Sequence, residues 1–407
     1  MKILHVHKYF HAKDGAGRYV FDLMRLQEAA GHTVAGFAME DPRNAPSAWS
    51  KYFVSNLDTS GVGGIRKSLK QIARSLWSLE AKDNMEDMLE AFRPDLVHVH
   101  NIYTHLSPSV LTPCKKRNIP VVLTVHDYGL LSANYGLFSA KGPVPAKPMG
   151  IIGVARTRFI KNSFVATFAL ELITRVHRSL RLVDKNVNRY LTLSQFVKDT
   201  MVKFGFKEDK IAVVPPPVAP ELYGRTFVHE RENAVLFAGR LEKYKGIETY
   251  LEAAAQRPDL TFYVAGTGPL VAEVESFARA HSNLIYLGFV ESEALWQRMA
   301  NVRAAIVPSI WYEPFGLAAL EPLAIGTPVI ASDIGGLSEF VAKSGGGKLF
   351  APGDSSALVR TLDELLADKD YEKMAEHARA YALKEHDPEK FLRQVMVEYG
   401  RAEDFIR

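Results

Sequence analysis

Residues 304–331 constrain this chain more than any other stretch. Ala304 to Val307 is an apolar run that reads as a strand, the loop after it carries Glu313, a helical segment carries Glu321, and a Gly-Thr-Pro turn leads to a second apolar run, Pro328 to Ala331. Strand, helix, strand is the alternation of an α/β sheet. Glu313 stands just before the Pro-Phe-Gly that opens the helix and Glu321 lies within it, so the two carboxylates flank its first turns. If every intervening residue were helical they would be separated by roughly 12 Å along the axis, the reach of a sugar diphosphate joined to a ribose. Between them, the amides around Gly316 and Leu317 have no partners inside the helix and sit at its positive end, where a diphosphate is held. Pro322 follows the second carboxylate and removes an amide, so a kink or restart is expected there.

The segment E-P-F-G-L-x-x-L-E is similar to the E-x7-E motif of retaining glycosyltransferases of family 4. That resemblance implies the GT-B arrangement, two Rossmann-like parallel-sheet domains facing across a cleft. It also implies a nucleoside diphosphate sugar as donor, with Glu313 near the sugar, Glu321 on the ribose hydroxyls, and Phe315, Gly316 and Leu317 along the donor. A chain of 407 residues suits two domains of about 200. The clearest linker is Val213-Val-Pro-Pro-Pro-Val-Ala-Pro220, because consecutive prolines enter neither a central strand nor a helix interior. The expected division is 1–215 for an acceptor-binding domain and 216–387 for a donor-binding domain, with a terminal helix, 388–407, packing back on the first by resemblance.

In the first half, Ile3 to His7 reads as a strand, Lys13-Asp-Gly-Ala-Gly-Arg18 as a glycine loop and Tyr19 to Ala30 as a helix. Gly15 and Gly17 let backbone amides approach a ligand, and by resemblance this loop borders the donor phosphate and the acceptor. The third glycine of the dinucleotide fingerprint is missing, which argues against a nicotinamide-dependent oxidoreductase. Asp95 to His100 and Ile119 to His126 read as buried strands. His126 falls where the second strand ends, the place where open parallel sheets gather ligands. T-V-H-D-Y resembles the active-site histidine segment of the family, which sets His126 against the donor sugar. His98, His100, His105 and His126 lack a carboxylate or cysteine at ligand spacing, so a structural role is expected for the histidine group rather than a metal site.

In the second half, G-R-L-x-x-x-K-G at Gly239–Gly246 follows a strand. Arg240 offers paired donors to phosphate oxygens and Lys245 a compact charge; the segment is similar to the phosphate-binding segment of the family. By the same resemblance Gly266 and Gly268 lie under the nucleotide, and Val290, after L-G-F, borders the base. The implied reaction is same-face substitution at the sugar, helped by the departing phosphate, with no cofactor and no metal. Asp368-Lys-Asp370 has the letters of a metal-binding Asp-x-Asp but sits among polar residues at a helix end. A nucleotide-sugar epimerase on the same scaffold and a non-catalytic sugar-binding protein are the competing readings.

Composition narrows the setting. A net charge of +4 fits anionic lipid heads or phosphorylated substrates and does not call for nucleic acid. The single cysteine, Cys114, suits a reducing cytoplasm. The apolar run Phe164 to Ile173 is too short to span a bilayer and contains Glu171. The stretch 151–188 is apolar along one side and rich in Arg and Lys, which suits peripheral contact with an anionic membrane, at its inner face, or the phosphate of a lipid-linked acceptor. A similar basic face, Arg66, Lys67, Lys70 and Arg74, marks a long helical stretch from about Gly64 to Phe92, and Gly63-Gly-Ile-Arg-Lys-Ser68 lacks the glycine spacing of a P-loop.

Overall fold

The computed structural model describes residues 1–56, 65–139, 141–227 and 230–404, without the side chains of 65–70. The start of the long helical stretch and the glycines at 63 and 64 therefore lie outside the described residues. The remainder of that stretch is two helices, Ile65–Leu76 and Leu79–Phe92, because Ser78 caps a second start by accepting from the Ala81 amide.

Each half of the chain builds one six-stranded sheet, and every pair in it is parallel. The strands of the first are β1 (Lys2–Val6), β2 (Thr33–Phe37), β3 (Leu96–Val99), β4 (Val121–Val125), β7 (Arg189–Thr192) and β8 (Ile211–Val213), in the order β2-β1-β3-β4-β7-β8. A two-residue ribbon, β5 (Phe138–Ser139) with β6 (Gly142–Pro143), stands apart. The second sheet holds β9 (Glu232–Ala238), β10 (Thr261–Ala265), β11 (Leu284–Gly288), β12 (Val302–Val307), β13 (Val329–Ser332) and β14 (Gly347–Phe350), in the order β11-β10-β9-β12-β13-β14. The central strands are apolar without alternation, as β4, Val-Val-Leu-Thr-Val, shows with all five residues buried; helices cover both faces of such a sheet.

The order of the second sheet reverses between β9 and β12, and that of the first between β1 and β3. At such a reversal the neighbouring crossovers leave for opposite faces and open a crevice beyond the carboxyl ends of the strands. The loops at those four ends carry Gly239–Lys245, Pro308–Gly316, His7–Asp14 and His100–Tyr103, so the topology alone delivers these segments to the two facing crevices.

Between Val213 and Glu232 the chain crosses from one sheet to the other, and the return crossing docks on the outgoing one. The Val218 amide donates to the His386 carbonyl, and His386 Nδ1 lies 2.8 Å from the Pro216 carbonyl. The last helix, Pro388–Asp404, then packs on the first domain: Phe391, Val395, Tyr399 and Ala402 are buried in one cluster with Ile3, Tyr19, Leu23 and Val122. A buried ion pair fastens it, with Arg189 of β7 placing Nη2 2.5 Å from Glu398 Oε2. Breaking a buried pair strands the remaining charge, at a cost of about 3–5 kcal/mol. Glu398→Ala should therefore lower the unfolding free energy from urea titration by that amount, whereas changing the exposed partner of Arg401–Glu398, by Arg401→Ala, should cost less than about 1 kcal/mol; equal costs would mean the helix is held by its apolar face alone.

Candidate active site

The two crevices join in a cleft of about 1160 Å³, above the roughly 300–1,000 Å³ of a single small-molecule site. From the second domain Arg240, Lys245, Glu313, Phe315, Gly316 and Leu317 line it; from the first, Lys8, Asp14, Gly15, Tyr19, His126 and Asp127. The sequence separates these groups by up to 300 residues, and the two reversals of strand order bring them together.

On the second domain's side, Lys245 Nζ lies 2.5 Å from Glu313 Oε1, which also accepts from Ser309 Oγ at 2.8 Å. Glu313 is only 6% exposed, so its charge is compensated by these partners rather than by water. The aromatic rings of Tyr244 and Trp311 meet edge to face, 5.3 Å apart, and Lys245 Nζ sits 5.2 Å from the Trp311 ring centre. Arg240 stands at the rim, 63% exposed on its side chain, with Nη2 2.8 Å from Glu242 Oε1. Its guanidinium is free to leave a solvated partner for a better one in the cleft.

The helix that begins after Glu313 differs in two ways from the reading of its letters and agrees with it in the uncapped start. It runs Leu317–Ile325, so residues 313–316 are loop and the straight helical spacing of the two carboxylates does not hold. It continues through Pro322, whose missing amide takes from the Ala318 carbonyl its partner inside the helix. Gly316 precedes it with φ 111°, a backbone that glycine adopts without strain, and no side chain caps its start. Its first amides, at Leu317 and Ala318, are therefore turned to the cleft wall. The loop is held from behind by the start of the helix Gly335–Ser344: a Cβ at Gly336 would meet the Pro314 carbonyl oxygen at 2.4 Å, and the Gly336 amide donates to the Glu313 carbonyl.

Glu321 does not line the cleft; it is turned to the first domain, where Arg18 Nη1 lies 2.5 Å from its Oε1. Burial pushes the Glu321 carboxyl upward, and Arg18 opposes the shift. Gly266, Gly268 and Val290 also stand off the cleft. A Cβ at Gly266 would meet the Gly239 carbonyl oxygen at 1.8 Å and one at Gly268 the Leu241 carbonyl oxygen at 2.5 Å, so these glycines let β10 support the loop that carries Arg240. In the first domain the helix starts at Gly15, four residues before the expected Tyr19, since Asp14 caps it by accepting from the Gly17 amide at 2.7 Å. Gly17 is buried, where a Cβ would meet the His11 carbonyl oxygen at 2.2 Å, and only Gly15 reaches the cleft, beside Leu317.

His126 lies across the cleft from these groups, one residue past β4. Burial holds its pKa at about 3, so the ring is neutral throughout the physiological range. Asp127 beside it is pushed up by burial while accepting from the Gly129 amide. Lys8, Asp14, Arg18, Tyr135, Ser309 and Trp311 were not expected here. Ser309 and Trp311 stand inside the motif, but the letters S-I-W-Y carry no spacing that distinguishes a ligand-facing residue from a packed one.

The family Glycosyltransferase Family 4 matches residues 13–222, and Glycosyl transferases group 1 matches 222–384. The chain belongs to glycosyltransferase family 4. Relatives include an uncharacterized glycosyltransferase of Methanocaldococcus jannaschii, 28% identical over 44% of this chain and 50% of its own length. Glycogen synthase of Mycobacterium tuberculosis is 36% identical over 33% of this chain and 34% of its own, and a 2-deoxystreptamine glucosyltransferase of Streptomyces kanamyceticus is 28% identical over 64% and 72%. The chain thus spans from about a third to under three quarters of these relatives. Among solved structures, sucrose-phosphate synthase of Thermosynechococcus elongatus superposes with a TM-score of 0.72 over 98% of both chains at 21% identity. Anabaena HepE in complex with UDP and glucose gives 0.68 over 98% of this chain and 99% of its own at 17% identity. The fold is therefore GT-B.

Several histidines buried around His126 set a pH dependence. His5 and His105 are held at about 4, and His98 and His100 well below 6.5, each chiefly by burial. The unfolded chain binds protons on these rings below pH 6.5 while the folded chain does not, so stability is full above that value and falls with acidification. Each ring contributes a slope of about 1.4 kcal/mol per pH unit once below it. Urea midpoints should be level from pH 7 to 8 and drop steeply from 6.5 to 5; a level curve there would mean the rings are solvated.

Proposed function

We propose that this chain transfers a sugar from a nucleoside diphosphate to a hydroxyl of a glycan or lipid-linked acceptor, retaining the anomeric configuration and using no metal. The observation that carries the reading is the convergence of Arg240, Lys245 and the uncapped start of the helix Leu317–Ile325 at the strand reversal of the second sheet, facing His126. UDP in the neighbouring HepE structure supports a nucleotide donor of this kind.

As the glycosidic bond breaks, negative charge gathers on the departing diphosphate. Fixed cations and amides aimed there lower the barrier because they need not reorganise. Lys245 and the amides of Gly316 and Leu317 stand ready for that charge, and Arg240 joins them by leaving Glu242. Glu313, released from Lys245 by the competing phosphate, accepts hydrogen bonds from sugar hydroxyls and keeps its bond from Ser309. Glu321 takes the ribose hydroxyls when Arg18 yields. The cations and amides supply the charge stabilisation that a divalent ion gives other transferases, and Asp368 and Asp370 lie outside the cleft, beside Lys348 and Lys373.

The acceptor half of the cleft runs under the helix Phe164–Ser179, against which the helix Ile151–Arg156 packs. Part of the basic excess in this region is spent internally: Arg175 binds Glu171, Arg178 the carbonyls of Leu131 and Phe204, and Arg181 Asp184. Arg156, Arg158 and Lys161 remain exposed beside Ile152, Val165 (74% exposed) and Leu172. No helix of the described residues is long and apolar enough to cross a membrane. An exposed apolar stripe flanked by cations suits shallow contact with anionic lipid, which would bring a lipid-linked acceptor to the cleft.

Lys245→Ala should lower kcat by about 10²–10³-fold with an unchanged circular dichroism spectrum, the loss seen when one transition-state donor is removed; full turnover would remove Lys245 from the reaction. A nucleotide sugar that binds the folded chain raises its melting temperature, by about 2.7 kcal/mol of stability at a hundred times Kd. A panel of UDP and GDP sugars in which none shifts the melting curve would end the donor assignment, and loss of turnover with a chelator would end the metal-free one. Val165→Glu together with Leu172→Glu should abolish sedimentation with anionic vesicles and leave transfer to a soluble acceptor intact.

A further inference from the structure

Behind His126 lies a run of buried polar side chains with no part in the reaction above. His5 of β1 pairs in register with His98 of β3, and His100 follows two residues later, so strand alternation sets all three on one face of the sheet. Gln27, from the helix Gly15–Ala29, and Tyr399, from the last helix, are buried against them. His126 Nε2 is 3.0 Å from His100 Nδ1, His100 Nε2 is 3.2 Å from His5 Nδ1, and His5 Nε2 is 2.7 Å from Gln27 Oε1. On the other side, Gln27 Nε2 donates to Tyr399 Oη at 2.9 Å, which is 2.7 Å from His98 Nδ1, and His98 Nε2 is 2.7 Å from Thr124 Oγ1.

A neutral imidazole carries one N–H and one lone pair, so a ring bonded at both nitrogens donates on one side and accepts on the other. Burial keeps these rings neutral. The direction of one bond therefore fixes the next, and Gln27 fixes the first. Its carbonyl oxygen faces His5, so His5 carries its proton on Nε2 and accepts at Nδ1 from His100 Nε2–H; His100 then accepts at Nδ1 from His126 Nε2–H.

We propose that Gln27, His5 and His100 are positioning residues that hold the proton of His126 on Nε2 and leave Nδ1 as a lone pair for the cleft. Nδ1 makes no hydrogen bond to another described residue, and His126 lines the cleft. With its proton held there, the ring accepts a hydrogen bond from a carbohydrate hydroxyl and does not donate one. This consequence rests on the proposed transfer reaction; the tautomer itself does not, and is measured without substrate. The same bonds argue against a metal between His5, His98 and His100, whose nitrogens lie within 4.8 Å of one another. A cation would need the lone pairs that the chain of hydrogen bonds already uses, and the described residues offer no carboxylate there to neutralise it.

The test is the two-bond ¹⁵N–¹H spectrum of ¹⁵N-histidine-labelled protein at pH 7, with His126 assigned from the signals lost in His126→Gln. The expected wild-type result is the Nε2–H form for His5, His98, His100 and His126. Gln27→Glu places an acceptor before both neighbours. It should turn His98 alone to the Nδ1–H form, since Tyr399 then donates to the carboxylate and accepts from His98, and leave His126 unchanged. Gln27→Leu should free His126 to average between forms; should that variant fail to fold, the wild type and Gln27→Glu decide. An Nδ1–H His126 in the wild type, an unaltered His98 in Gln27→Glu, or a stoichiometric metal in the purified protein by mass spectrometry would overturn the proposal.

Discussion

The ion pair between Lys245 and Glu313 ties together the loops that follow β9 and β12, the two strands where the order of the second sheet reverses. The crossover helices of these strands leave on opposite faces, so without a bond across the gap their loops would diverge. Ser309 completes the acceptance at Glu313, and Gly335 and Gly336 clamp the same loop from below through its backbone. The arrangement is under tension in a chemical sense. A half-buried ammonium and a buried carboxylate neutralise each other at the wall of the cleft, where neither has water enough to stand alone.

The opposite wall follows another logic. The first domain meets the cleft with neutral rings, His126 and Tyr19, and with a short glycine turn, while its ionisable groups are matched or suppressed by burial. Its charges come as neighbours, as with Lys8 4.0 Å from Asp14 at the cleft wall. Arg18 with Glu321 is the pair that bridges the two walls, a cation of the first helix reaching a carboxylate of the second domain.

The parallel sheets, the two-domain plan and the groups at the carboxyl ends of β9 and β12 were legible because each rests on local pattern: apolar runs between helices, a glycine before a cation, a carboxylate ahead of Pro-Phe-Gly. What escaped was set by packing at a distance. No letter of the sequence says that Gly17 and Gly266 are small for the sake of a neighbouring carbonyl rather than a ligand, or that Glu321 faces Arg18, 303 positions earlier. The helix continues through Pro322, so the restart that the proline suggested does not occur. The group of His98, His100 and His126 was visible, yet its fourth member is His5 rather than His105, whose ring turns to Tyr9 and Thr104. Register between β1 and β3 decides that, and register is not written in either strand alone.

The return of the last helix to the first domain has a consequence for how the molecule is made. Tyr399, Val395 and Phe391 complete a core whose other walls are Ile3, Tyr19 and Leu23, so its two sides come from either side of the second domain in sequence. Domains tend to fold in turn during synthesis, but here the core of the first domain is completed only once the helix that follows the second domain has been made. Its apolar seat for that helix stays uncovered through the whole synthesis of the second domain.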